Sequence, residues 1–218
     1  MQPPFTIAID GPMGVGKSTV AKLIAQKLGF TYIDTGAMYR AVAYYNLQNK
    51  LDITDASSLE ASLKHINIEL RDSQAGRRVF LNGSDITDHI RTQEISEATS
   101  VVSTNATVRA KLVKMQQQMA EHASVVMDGR DIGSAVLPNA QLKIYLDATP
   151  EIRTRRRMQD LGSVDFDQIL QQTVTRDHRD KTRAASPLVQ TSDAIYIDTG
   201  DMTIEEVVNK IYALYKAF

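Results

Sequence analysis

Gly11-Pro12-Met13-Gly14-Val15-Gly16-Lys17-Ser18 fits the pattern G-x4-G-K-[S/T]. It follows Phe5-Thr6-Ile7-Ala8-Ile9-Asp10, an apolar run short enough for a buried strand. It opens the stretch Lys17 to Leu28, where Val20, Ala21, Ile24, Ala25 and Leu28 recur at helical spacing until Gly29 stops them. Strand, loop and helix in that order give the pattern its physical meaning. The glycines let backbone N–H groups converge on phosphate oxygens, and the helix N-terminus adds partial positive charge. Gly11, Pro12, Met13, Gly14, Val15, Gly16, Lys17, Ser18 and Thr19 are therefore the expected nucleotide-binding segment. Lys17 should reach the β- and γ-phosphates, and Ser18 should ligate Mg²⁺. The plainer alternative is a glycine-rich turn that binds nothing.

Outward from the loop, Thr31-Tyr32-Ile33-Asp34 reads as a second strand and Ala37 to Leu47 as a second helix, the alternation of a parallel sheet covered by helices. The middle differs. Ile66, Ile68 and Leu70 alternate with polar residues, as do Val79 and Leu81 beyond the turn-like Asp72-Ser73-Gln74-Ala75-Gly76. That is an antiparallel hairpin with one solvated face, inside an insert at about 60–95. Thr107 to Glu121 spaces Val108, Leu112, Met115 and Met119 along one helical side. Buried-strand patterns resume at Ser124 to Asp128 and Leu142 to Leu146, and a last strand and helix fall at Ala194 to Ile197 and Thr203 to Lys216. Between them, Arg153 to Leu161 and Phe166 to Asp180 read as helices, with Thr149 a possible cap before Pro150.

Composition narrows the chemistry. Of 218 residues, 25 are Lys or Arg and 26 are Asp or Glu, for a net charge of −1, so a generally basic nucleic-acid binder is disfavoured. With Cys 0, disulfides, thiolate zinc sites and cysteine nucleophiles are excluded. His65, His89, His122 and His178 have no metal-ligand spacing. Nothing approaches the roughly 18 apolar residues of a membrane span, and Met1-Gln2-Pro3-Pro4 lacks the marks of a signal peptide. A cytoplasmic enzyme is the expectation.

Asn49-Lys50-Leu51-Asp52 matches the N-K-x-D of guanine readers, but it lies one helix past the loop, and no D-x-x-G accompanies it, so a switch GTPase is disfavoured. The arginines say more. Arg153, Arg156 and Arg157 share a helical face, with Arg155 beside them; Arg176, Asp180 and Arg183 share another, near Arg179 and Lys181. Like charges so crowded repel unless an anion neutralises them, and phosphoryl transfer needs such donors on the moving group. The alternative for each cluster is a solvated face with intrahelical pairs such as Arg176–Asp180. Asp128, ending an apolar strand, either bears on Mg²⁺ or caps the turn before Ile132.

Five blocks together resemble the bacterial cytidylate kinases: Gly11 to Ser18; Asp34-Thr35-Gly36-Ala37-Met38-Tyr39-Arg40; Ile90-Arg91-Thr92-Gln93-Glu94; Asp128-Gly129-Arg130-Asp131-Ile132-Gly133; and Arg176-Asp177-His178-Arg179-Asp180-Lys181-Thr182-Arg183. They keep the family's order over almost the whole chain. The resemblance implies an α/β fold: a parallel-sheet P-loop kinase core with helices on both faces, a small antiparallel insert in the NMP-binding domain, and a short lid. It places the core at about 1–35, 105–150 and 185–218, the NMP-binding subdomain at about 36–104 and the lid at about 151–165. The implied activity is transfer of the ATP γ-phosphoryl group to CMP or dCMP with Mg²⁺.

By matching position, Arg40, Arg130 and Arg183 would contact the CMP phosphate, and Ser100, Arg109 and Asp131 would read the cytosine edge. Thr35, Arg176 and Asp180 would hold the sugar and its surroundings, and Tyr39 would lie against the base. Arg153 and Arg157 would close over the ATP phosphates, making Lys17, Arg130, Arg153, Arg157 and Arg183 the implied catalytic cations, with Ser18 and Asp128 toward the metal. Plainer roles remain open for several of them. Tyr39 could be helix core, Ser100 and Thr35 caps, Arg109 a solvated side chain, and Asp131 a turn partner of Arg130. The implied partners are ATP and CMP or dCMP; no nucleic acid or membrane is expected, and monomer is the default. The rival readings are a kinase for another small acceptor, which an acceptor panel separates, and a non-catalytic nucleotide-binding module, which would show steeply salt-sensitive nucleic-acid affinity.

Overall fold

The computed structural model describes residues 4–73, 76–162 and 165–218. The expected turn at 72–76 and lid at 151–165 thus lie partly outside the described residues. In chain order the elements are β1 (Thr6–Asp10), α1 (Lys17–Leu28), β2 (Thr31–Asp34), α2 (Thr35–Gln48), α3 (Ala56–Leu63), β3 (Ile68–Ser73), β4 (Gly76–Leu81), β5 (Ser84–Asp85), a 3₁₀ turn (His89–Arg91), α4 (Gln93–Val102), α5 (Ala106–Ala120), β6 (Val125–Gly129), a π turn (Ile132–Val136), β7 (Leu142–Asp147), α6 (Pro150–Leu161), α7 (Phe166–Thr182), β8 (Ile195–Asp198) and α8 (Ile204–Tyr215). They form two compact units, Met1–Ile33 with Gln117–Phe218, and Asp34–Gln116. The expected class, a parallel-sheet kinase core with a small antiparallel sheet, is the observed one. Most of α5 goes with the second unit.

In the first unit the sheet order is β2-β6-β1-β7-β8. β1 pairs in parallel with β6 and β7, and β7 with β8. β1, β6 and β7 are largely apolar runs because they are covered on both faces: Ile7, Ala8, Ile9, Val125, Val126, Met127 and Leu146 are fully buried. One helical layer is α1 with α8, whose Val20, Ile24, Val207 and Ile211 join the core of Ile7, Ile9, Ile144 and Ile197. Each such side chain contributes about 1.5–3 kcal/mol of transfer free energy. Central β1 ends where the connections diverge, first toward β2 and later toward β7 and β8. That divergence at the carboxyl end of a parallel sheet opens a crevice, the usual place for a ligand.

The loop after β1 is tightly constrained. Gly11 has φ +148°, and a Cβ there would stand 2.1 Å from the Leu146 carbonyl oxygen, so no side chain fits. Thr149 caps α6 as expected, accepting from the Ile152 N–H.

In the second unit α2 packs against α4, burying Met38, Ala41, Val42, Ile95 and Val102. Asp34 caps α2 by accepting from the Ala37 N–H, which starts the helix at Thr35, ahead of the expected Ala37. The expected hairpin is present, with Ile68 opposite Leu81 and Leu70 opposite Val79, and β5 adds a short third strand. Among the described residues no helix is long and apolar enough to cross a membrane.

Candidate active site

Gly16 precedes helix α1 as its N-cap, a left-handed residue that offers no side-chain cap, so the helix's first N–H groups remain available to an anion. Lys17 is buried while Ser18 and Thr19 are exposed, and the Lys17 ammonium donates to the Pro12 carbonyl. Burial pushes its pKa well below the usual lysine value, and the Arg130 cation pushes the same way. Two cations so placed favour a phosphate between or beside them.

Asp128 meets the loop directly. Its Oδ2 accepts from the Ser18 hydroxyl at 2.8 Å and its Oδ1 from the Tyr32 hydroxyl at 2.7 Å. The turn before Ile132 is instead capped by Asp10, whose two oxygens accept from the Ile132 and Gly133 N–H groups at 2.8 and 2.7 Å. Asp128 is therefore the loop-facing carboxylate of the two readings. Among the described residues no group of three acidic or histidine side chains could enclose a metal. Two adjacent oxygen donors suit Mg²⁺, which takes one or two protein ligands and fills its shell with phosphate and water.

The basic residues after β6 and along α7 are cross-paired. Arg130 Nε donates to Asp180 Oδ2 at 2.8 Å, and Arg183 Nη2 to Asp131 Oδ1 at 3.4 Å. Burial alone would raise the Asp180 carboxyl, yet Arg130, Arg176 and Arg183 together hold it below the usual range. A solvated face does not describe this arrangement: Asp131, Asp180 and Arg183 are all buried.

Arg153 is 3% exposed, and its guanidinium is bonded along both edges. Nε donates to the Ala148 carbonyl at 2.9 Å, Nη1 to the Met13 carbonyl and to Asp177, each at 3.0 Å, and Nη2 to Asp177 as well. Arg156 holds the Thr199 and Gly200 carbonyls. Arg155 lies 6.0 Å from the Phe166 ring centroid. Arg157 and Arg176 are half-buried on α6 and α7.

The remaining predicted residues belong to the second unit. Thr35 is the buried first residue of α2, and Ser100 is buried inside α4, so neither is a cap. Arg109 on α5 is 3% exposed, which removes the solvated alternative; it donates to the Ser103 carbonyl at 3.2 Å. Its guanidinium carbon lies 5.4 Å from the Tyr39 ring centroid. Arg40 Nη2 donates to Asp34 Oδ2 at 2.8 Å. Asp10, Tyr32 and Asp177 are the participants that the sequence reading did not single out.

A phosphate loop at the centre of a parallel sheet, flanked by a carboxylate and paired arginines, defines a P-loop kinase. At the level of fold, the chain is similar to a gluconokinase from Sinorhizobium meliloti 1021, with TM-score 0.53 and 13% identity over 98% of this chain and 92% of that one. It is likewise similar to an uncharacterized protein from Eubacterium ventriosum ATCC 27560, with TM-score 0.55, 14% identity, and 98% and 99% of the two chains covered. The family model described as Cytidylate kinase matches residues 7–217. The cytidylate kinase of Bacillus subtilis (strain 168) is 46% identical over 97% of this chain and 96% of its own. That of Enterococcus faecalis (strain ATCC 700802 / V583) is 47% identical over 97% and 96%. The chain belongs to the cytidylate kinase family.

Proposed function

We propose that this protein transfers the γ-phosphoryl group of ATP to CMP or dCMP, giving ADP and CDP or dCDP. The observation that carries the reading is near-full-length similarity at 46–47% identity to cytidylate kinases, joined to an intact phosphate loop. Residues Gly11 to Thr19 cradle the ATP phosphates, with Lys17 supplying charge at the β- and γ-positions. Mg²⁺ bound at Ser18 and Asp128 would neutralise phosphate charge. Arg157 closes over the γ-phosphoryl, whereas Arg153 serves it through the loop backbone that it grips.

On the acceptor side, Arg40, Arg130 and Arg183 hold the CMP phosphate. Asp180 accepts from Nε of Arg130 and the Gly129 carbonyl from Nη1 at 3.4 Å, so the anion would be met by the remaining Nη donors. Asp131 accepts from the exocyclic amine of cytosine, where uracil would bring a repelling carbonyl. Ser100 and Arg109 complete the base edge, Tyr39 lies along the base, and Thr35, Arg176 and Asp180 hold the sugar and its surroundings. No general base is required, because a phosphate oxygen is already ionised at neutral pH. All four histidines are exposed, in keeping with a chemistry of positioning and charge. We further propose that the enzyme works as a cytoplasmic monomer, without nucleic acid or membrane.

A panel of CMP, dCMP, UMP, AMP and small hydroxyl acceptors with ATP and Mg²⁺, read as ADP formed, tests this. Cytosine nucleotides should give the highest kcat/KM; equal turnover of UMP or AMP would overturn it.

A further inference from the structure

We propose that Asp177 is a positioning residue for the phosphate loop: it holds Arg153 in the one orientation that fixes the Met13–Gly14 peptide, and so sets the affinity for ATP. The proposal rests on the reading that this loop takes the ATP phosphates.

Asp177 and Arg153 are both buried, at 8% and 3% exposure. The carboxylate takes two donors of the guanidinium, Nη1 to Oδ1 at 3.0 Å and Nη2 to Oδ2. This two-point contact fixes the plane of the guanidinium as well as its position. In that plane Nη1 also reaches the Met13 carbonyl at 3.0 Å, and Nε reaches the Ala148 carbonyl at 2.9 Å. The Met13–Gly14 peptide is planar, so tying its carbonyl to Arg153 also fixes the opposed N–H of Gly14, one of the cradle donors. The backbone presses close here: a Cβ on Gly14, at φ +78°, would lie 3.2 Å from both the Arg153 Cβ and its carbonyl oxygen. Without the carboxylate, the guanidinium keeps its charge and its two carbonyl contacts but loses the two-point contact that fixes its plane, and the crest of the loop is held less firmly.

Asp177 stands three residues before Asp180 on α7, and Asp180 pairs with Arg130. Asp177 is bonded directly to the residue that grips the loop crest and reaches Arg130 through charge alone, so its replacement should act chiefly on the donor nucleotide.

The test is calorimetric titration with ATP and Mg²⁺, without acceptor, of the wild type, Asp177→Asn, Asp177→Glu and Arg153→Lys, alongside KM for ATP and for CMP and the melting temperature. Asp177→Asn should weaken ATP by about tenfold, the cost of one charge-assisted contact. KM for ATP should rise with it, while KM for CMP at saturating ATP stays within about twofold. Asp177→Glu should recover part of the loss, because it restores the charge. Arg153→Lys keeps a cation but not the planar fork, and should weaken ATP similarly; it carries the measurement if Asp177→Asn does not fold. Unchanged ATP affinity in either folded variant overturns the proposal. So does an equal loss of ATP and CMP together with a lower melting temperature, which would mark a purely structural pair. A wild type that binds ATP but phosphorylates no nucleoside monophosphate would sink the acceptor reading and leave this one standing.

Discussion

Arg130 Nε donates to Asp180 Oδ2 at 2.8 Å, joining residues 50 positions apart. The pair spans the end of β6 and the last turn of α7, and Asp131 and Arg183 form a second contact between the same segments. Two arginines assigned to the CMP phosphate are thus held by carboxylates of their own protein, with charge balanced and direction set.

Removing one partner of such a pair leaves a charge with poor solvation. Asp180→Ala should lower stability by roughly 2–4 kcal/mol, since both side chains are less than a fifth exposed. It should also raise KM for CMP, because Arg130 loses its orientation. Urea unfolding and steady-state kinetics check both; unchanged stability with unchanged KM would refute this account of the pair.

Base discrimination is assigned to Asp131. Asp131→Ala should reduce the ratio of kcat/KM for CMP over UMP by at least about tenfold. Arg183 also loses its carboxylate there, so some fall in absolute rate is expected. A ratio equal to that of the wild type would move base reading to Ser100 and Arg109.

Asp128→Asn keeps the shape beside Ser18 and Tyr32 but removes the charge. The Mg²⁺ concentration for half-maximal turnover should rise about tenfold, with the melting temperature little changed. Chelation of divalent cations should abolish turnover in both proteins. An identical Mg²⁺ dependence would remove Asp128 from the metal.

Burial raises the Asp10 pKa to about 6 from the ordinary 3.8, against the pull of its bonds from the Gly133 and Ile132 N–H groups. Between those two values the folded protein binds more protons than the unfolded one, so this group's contribution to stability falls as pH rises from about 4 to 6. Asp10→Asn cannot titrate. Relative to it, the wild type should gain roughly 2 kcal/mol when pH is lowered from 7 to 4. Chemical unfolding of both proteins across that range measures the difference; parallel curves would contradict the assignment.

Much of the fold is written in local pattern. Val20, Ala21, Ile24 and Ala25 announce α1 because a helix buried on one face needs that spacing, and all four are buried. Ile68, Val79 and Leu81 announce the hairpin by alternation. Two helices left fainter traces. α3 is serine-rich and buries only Leu59, Ser62 and Leu63, while α4 mixes polar and apolar residues at Thr99 and Ser100, both buried. In the site, the phosphate loop and Asp128 were legible because chemistry there follows strand ends. The pairings were not. Asp180 with Arg130, Asp177 with Arg153, and Asp10 with the Ile132 and Gly133 N–H groups join residues far apart in sequence, and no spacing rule reaches that far. A carboxylate ending β1 immediately before Gly11 was the one available hint for Asp10.

Asp34 uses one oxygen to start α2 at the Ala37 N–H and the other to hold Arg40. Beside it, a Cβ on Gly36 would lie 3.2 Å from the Asp34 Oδ1 and 3.3 Å from the Arg40 Nη1. A freely rotating arginine gives up on the order of 2 kcal/mol of side-chain entropy when it is immobilised. Arg40 has largely surrendered that freedom during folding, so an anion that meets it need not supply the ordering again. Any substitution at residue 34 would therefore unsettle, in a single stroke, a helix start and the arginine proposed to meet the CMP phosphate.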